Sequence, residues 1–122
     1  MKQCYITITG LQHYFGHKPF SPGQSVRLVK EPKNQHDGEA IRVELPFIGT
    51  VGYVANSPGT VFQGCFSAGR LYDKIGTTAI AEVCVLTHSS VVAKVELENA
   101  PEEPFPDYVS VQSIGIEDDL LF

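Results

Sequence analysis

Wherever this chain builds an alternating run of β-branched and polar residues, a glycine, a proline or a polar turn ends it within a few positions. Tyr5-Ile6-Thr7-Ile8-Thr9 stops at Gly10, and Ser25-Val26-Arg27-Leu28-Val29-Lys30 is followed by Pro32. Ala40-Ile41-Arg42-Val43-Glu44-Leu45 stops at Pro46, and Thr50-Val51-Gly52-Tyr53-Val54 follows directly after Gly49. The longer run Thr78 to Leu86 turns at Thr87-His88-Ser89-Ser90 and returns as Val91 to Leu97. A period of two puts alternate side chains on opposite faces, so each run is a half-buried strand. Proline ends a run because it has no N–H to give to a ladder. The pattern predicts an all-β domain of about six short strands, the third and fourth paired as a hairpin. A small barrel and a two-sheet sandwich both satisfy it.

One or two short helices are expected besides. Asn56-Ser57-Pro58 reads as a helix start, with a capping serine and proline at the first position. Val61, Phe62, Cys65, Phe66 and Gly69 follow at helical spacing, interrupted by Gly64, and their aromatics read as core. Leu11-Gln12-His13-Tyr14-Phe15-Gly16-His17 has no clean period and reads as a loop or irregular strand edge.

A chain of 122 residues suggests one domain, large enough for a core without disulfides. No apolar run approaches bilayer length, and the N-terminal residues lack a signal-peptide stretch, so no membrane partner and a cytoplasmic location are expected. Cys4, Cys65 and Cys84 are too few to pair completely and lie far apart; they read as reduced, buried thiols. The net charge of −5 is unevenly placed. Residues 1–94 hold nine Lys and Arg against six acids, whereas residues 95–122 hold eight acids and no base. A barrel over 1–99 followed by an acidic tail over 100–122 is the expected division. The tail reads as a solubilising segment, a mask over a basic groove, a motif for a protein partner or, for Tyr108 to Ile116, part of the fold.

Lys33-Asn34-Gln35-His36-Asp37-Gly38 is a polar loop between two strands. Asn34 and Asp37 either bond their own turn or face a ligand. His13 and His17 stand four apart, but outside a helix and without a third ligand, so no metal and no cofactor are expected. No phosphate-binding, nucleophile-elbow or zinc-protease string is present, which argues for a binding module rather than an enzyme.

The run Glu31-Pro32-Lys33-Asn34-Gln35-His36-Asp37-Gly38-Glu39-Ala40-Ile41-Arg42-Val43 resembles the central motif of the HIRAN domain family. Gly10-Leu11-Gln12-His13-Tyr14-Phe15-Gly16 resembles its opening motif, and Val51-Gly52-Tyr53-Val54 its Gly-aromatic strand. The resemblance covers roughly residues 4–97 and implies an OB-like barrel that holds the 3′ end of single-stranded DNA. On that likeness Asp37 meets the terminal sugar hydroxyl, and Asn34 shapes the pocket. His36 and Tyr14 lie beside the end bases, and Tyr53 forms a wall of the groove. Gln12 and His13 stand where DNA-binding relatives carry an arginine and an aromatic, which reduces phosphate attraction and stacking. Lys18, Lys30, Lys33 and Arg42 are candidates for backbone phosphates. The expected function is recognition of single-stranded DNA or DNA ends. The alternative is a peptide-binding module that uses the same groove.

Overall fold

The computed structural model describes residues 2–97. Six strands form a closed antiparallel barrel: β1 (Gln3–Thr9), β2 (Ser25–Lys30), β3 (Ile41–Leu45), β4 (Gly49–Val54), β5 (Thr78–Leu86) and β6 (Val91–Glu96). Around the barrel they run β1-β4-β3-β2-β5-β6, and β6 closes back on β1. Closure decides between the two architectures that the alternating pattern allowed; β1 meets β4 only at Ile8–Val54 and Thr9–Tyr53, and further along that edge the Ala55 and Phe66 amides donate to the Thr7 and Tyr5 carbonyls.

The interior is filled by the alternate residues of each strand. Ile6 and Ile8, Val26 and Leu28, Ile41 and Val43, Val51, Val83, and Val91 and Val95 are all fully buried. Leu11, Phe20, Ala68 and Leu71, from the connections, join the same apolar cluster. Two bulges interrupt the ladders, one between Val43 and Glu44 and one between Val83 and Val85. A bulge opposes two residues to one and sharpens the bend of a strand, as a six-stranded barrel needs.

The first bulge matters for the site. Beside it Gly52, paired with Val43, faces the end of β1, where a Cβ would lie 2.9 Å from both Ile8 Cγ2 and the Thr9 carbonyl oxygen. Only glycine lets β4 approach closely enough for Thr9 to pair with Tyr53. Gly52→Ala is expected to cost about 1–3 kcal/mol by overpacking. In a domain of this size that lowers the melting temperature by on the order of 10 °C. An unchanged thermal midpoint would remove the requirement.

The helix lies further along the chain than the sequence suggests. Residues 57–65 run through turns and bends, and the single α-helix among the described residues, α1, spans Ala68–Tyr72 with the Ser67 hydroxyl accepting from the Arg70 amide. Ser57 does start one helical turn, its carbonyl accepting from both Thr60 and Val61. The chain then leaves it, because Gly64 takes a left-handed φ of 91° and β1 captures the backbone. The Phe62 amide donates to the buried Thr7 hydroxyl and the Phe66 amide to the Tyr5 carbonyl. Phe66 packs on the core as expected, whereas Phe62 is exposed. Leu11–His13 form a single 3-10 turn at the start of the irregular segment.

The three thiols are free, but only Cys4 is buried. Burial, with the Cys65 thiol nearby, pushes the Cys4 thiol up to about 11, which keeps it protonated and unreactive. Among the described residues no helix is long and apolar enough to cross a membrane, and no cluster of side chains is suited to a metal ion. The barrel–tail division and every reading of residues 100–122 lie outside the described residues.

Candidate nucleic-acid interface

The loop from Glu31 to Ala40 is held by its own side chains. The Asn34 side-chain oxygen accepts from the His36 amide at 2.8 Å and the Asp37 amide at 3.0 Å. The Asp37 carboxylate accepts from the Glu39 amide at 2.9 Å. These are Asx turns, so Asn34 and Asp37 do bond their own loop. The backbone closes on the strands through Glu31 N–H to the Ala40 carbonyl and Ala40 N–H to the Asp37 carbonyl.

Turn formation does not use up Asp37. Its second oxygen accepts from Asn56 Nδ2 at 2.8 Å, and the carboxyl group stays half-buried. Asn56 in turn accepts from the Gly69 amide at 2.8 Å. The loop is thereby tied to the first turn of α1, and Asp37 is fixed in position with lone pairs still unfilled.

At the loop's other end stands Glu31, whose importance the sequence did not reveal. Its carboxylate accepts from Asn34 Nδ2 at 2.9 Å, Arg42 Nη1 at 2.8 Å and the Tyr53 hydroxyl at 2.9 Å. Arg42 and Tyr53 face one another across the β3–β4 ladder, so strand register delivers both donors to one acceptor. Burial alone would raise the Glu31 carboxyl, but the hydrogen bonds from Asn34, Arg42 and Tyr53 outweigh it and hold the group below its usual range. Tyr53 moves the other way. Burial, and then the bond to the Glu31 anion, push its phenol up to about 12.

That shift has a readable consequence. A phenol whose folded value lies above its unfolded value of 10.0 stabilises the fold below pH 10, and the contribution disappears as pH rises towards 12. Alkaline titration followed by tyrosinate absorbance should show a step near 12 that Tyr53→Phe removes. A titration that ends near 10 in the unmutated protein would contradict the Tyr53–Glu31 bond.

Tyr53 also meets Tyr14, with ring centroids 6.4 Å apart and planes tilted by 36°. Tyr14, Tyr53, Asn34 and Asp37 therefore belong to one connected arrangement, running from Tyr14 through Tyr53, Glu31 and Asn34 to Asp37 and Asn56. His36 is exposed on the same loop, and only its backbone amide is bound into the turn. Gln12 and His13 are exposed on the 3-10 turn, with Gln12 Nε2 3.5 Å from His13 Nε2.

The cations separate into two groups. Arg42 is held by Glu31 and Glu44, at 2.8 and 3.1 Å, so its charge is balanced within the barrel wall rather than offered to phosphate. Lys30 lies 4.4 Å from the Tyr72 ring centroid, a cation–π contact. Lys18 and Lys33 are exposed, Lys33 within the loop itself. Glu31 and Asn56 are the members that the sequence reading passed over. Their partners lie far along the chain, Tyr53 22 residues from Glu31 and Asp37 19 residues from Asn56.

No curated protein and no solved structure matches the chain. The family model of the HIRAN domain matches residues 1–63, which contain β1 to β4 and every residue of the connected arrangement.

Proposed function

Because the chain belongs to the HIRAN domain family, which is associated with DNA binding, we propose that the Asn34–Asp37 loop reads the 3′-hydroxyl end of single-stranded DNA. The observation that carries this reading is the immobilised, half-buried carboxylate of Asp37 at one end of a hydrogen-bonded chain that has the paired rings of Tyr14 and Tyr53 at the other. A carboxylate with free lone pairs accepts a hydrogen bond from a sugar hydroxyl. It repels phosphate, so an internal nucleotide or a phosphorylated 3′ end is disfavoured at the same spot. The aromatic rings supply faces for unpaired bases, and base–aromatic stacking contributes about 1–3 kcal/mol per base. With Arg42 and Lys30 engaged internally, Lys18 and Lys33 remain near the loop and ring elements as partners for the backbone. The module binds and positions an end, and performs no chemistry of its own.

Two labelled oligonucleotides that differ only at the 3′ terminus test this directly. The strand ending in a hydroxyl should bind at least several-fold more tightly than the strand ending in a phosphate. Equal affinities would refute end reading. Failure of both strands to bind, with capture of peptides instead, would favour the peptide module.

A further inference from the structure

Tyr14 lies at the margin of a second feature. With Phe15, Lys18, Pro19, Phe47 and Ile48 it lines an open concavity of about 700 Å3. Phe15 and Phe47 are each 52% exposed, and Ile48 is 43% exposed. These side chains do not serve the barrel core, yet their backbones are firmly held. Phe20 is buried in the core just beyond Pro19, and Gly16 donates back to the Leu11 carbonyl. Gln24 donates to the Pro19 carbonyl and accepts from the Ser21 amide. Phe47, at the tip of the β3–β4 hairpin, has a φ of 69°. That is the left-handed region, where a turn normally takes glycine or asparagine. A bulky aromatic kept in a strained conformation and left half in water signals a use outside the fold.

Resting on the end-reading proposal above, we propose that this concavity is a second subsite, which stacks an unpaired base upstream of the 3′ terminus while Lys18 meets the adjoining phosphate. Three observations favour a nucleotide as the occupant. The lining contains aromatic faces and a cation but no acid. It is continuous with the end-reading arrangement through Tyr14, whose ring also meets Tyr53. Its rings are presented on anchored segments, so stacking a base costs little ordering. Neither Phe15 nor Phe47 touches the Asp37 loop in any described hydrogen bond, so the two subsites can be separated by mutation.

The test is a length series of oligothymidylates from two to six nucleotides, all with a free 3′ hydroxyl, binding to the full chain. Affinity of the unmutated protein should rise with length beyond the dinucleotide. The combined Phe15→Ala and Phe47→Gly variant should lose about tenfold for the longer strands and nothing for the dinucleotide. 2-Aminopurine placed upstream of the terminal nucleotide should be quenched by the unmutated protein and not by the variant. Phe47→Gly suits the left-handed backbone, so its melting temperature should hold or rise, which separates lost stacking from lost folding. A variant that keeps the full gain with length overturns the subsite alone. Equal affinity of the unmutated protein for a matching series that ends in a 3′ phosphate, with the length gain and its sensitivity to Phe15 and Phe47 intact, overturns end reading alone. Absence of binding at every length overturns both.

Discussion

Exchanging the Asp37 carboxylate and the Asn56 amide is expected to abolish the preference for a free 3′ hydroxyl while leaving the barrel folded. The single change Asp37→Asn would set one amide N–H2 against that of Asn56, which donates to Asp37 at 2.8 Å. Adding Asn56→Asp restores an acceptor for that new amide and keeps an acceptor for the Gly69 amide. Net charge and hydrogen-bond count are conserved, but the carboxylate has moved across the contact. A hydrogen bond to a charged acceptor contributes about 1.5–3 kcal/mol, or ten- to a hundredfold in affinity for the hydroxyl-ended strand. The 3′-phosphate strand should change little or gain, because the repelling charge has shifted. Binding isotherms for both strands, with the thermal midpoint of the double variant, decide the matter. A double variant that melts normally and still prefers the hydroxyl would show that Asp37 is not the reader.

Removal of the Glu31 carboxylate should have the largest effect on stability. Glu31→Ala leaves the Tyr53 hydroxyl, the Asn34 amide and one side of Arg42 without their acceptor. Unpaired donors cost about 1–3 kcal/mol each when fully buried. The Glu31 and Arg42 side chains are 19% and 28% exposed, and Arg42 keeps Glu44, so water recovers part of that cost. A net loss of about 2–3 kcal/mol is expected, on the order of 10–20 °C in melting temperature. The effect should depend on pH in a defined direction. The folded carboxyl lies below its ordinary value of 4.5, so its contribution is present above that pH and is lost as pH falls through the depressed value. Unmutated and Glu31→Ala proteins should therefore differ in stability at neutral pH and converge in acid. A constant difference down to pH 2 would mean that the charge is not what Glu31 contributes.

The strands were legible in the sequence because alternation is a local property. In Ile41–Leu45, buried and half-buried residues alternate without a break, as the apolar–charged pattern of β3 implied. The helix was misplaced for a non-local reason. Ser57 and Pro58 do begin a helical turn, but Phe62 and Phe66 are claimed by Thr7 and Tyr5 on a strand more than fifty residues earlier. No spacing rule within residues 56–69 contains that competition. The site divides in the same way. The Asn34–Asp37 turn is readable in six consecutive residues. The Glu31 cluster gathers donors 3, 11 and 22 residues away, and only the β3–β4 register brings Arg42 and Tyr53 together.

Ring closure through β1 has a practical corollary for anyone who joins this barrel to something else. Leu97 donates to the Lys2 carbonyl, so both boundaries of the described chain emerge side by side, next to the Gln3–Glu96 pair. Tyr53 pairs with Thr9 at the other extremity of β1, roughly 20 Å away at strand rise. A cargo, a surface tether or a neighbouring domain joined at either boundary of the described chain therefore starts at the end of β1 opposite to Tyr53. The two boundaries could also be spliced by a short linker and the chain reopened in an exposed loop such as residues 57–60, giving a circularly permuted barrel that keeps the Tyr53–Glu31–Asn34 contacts.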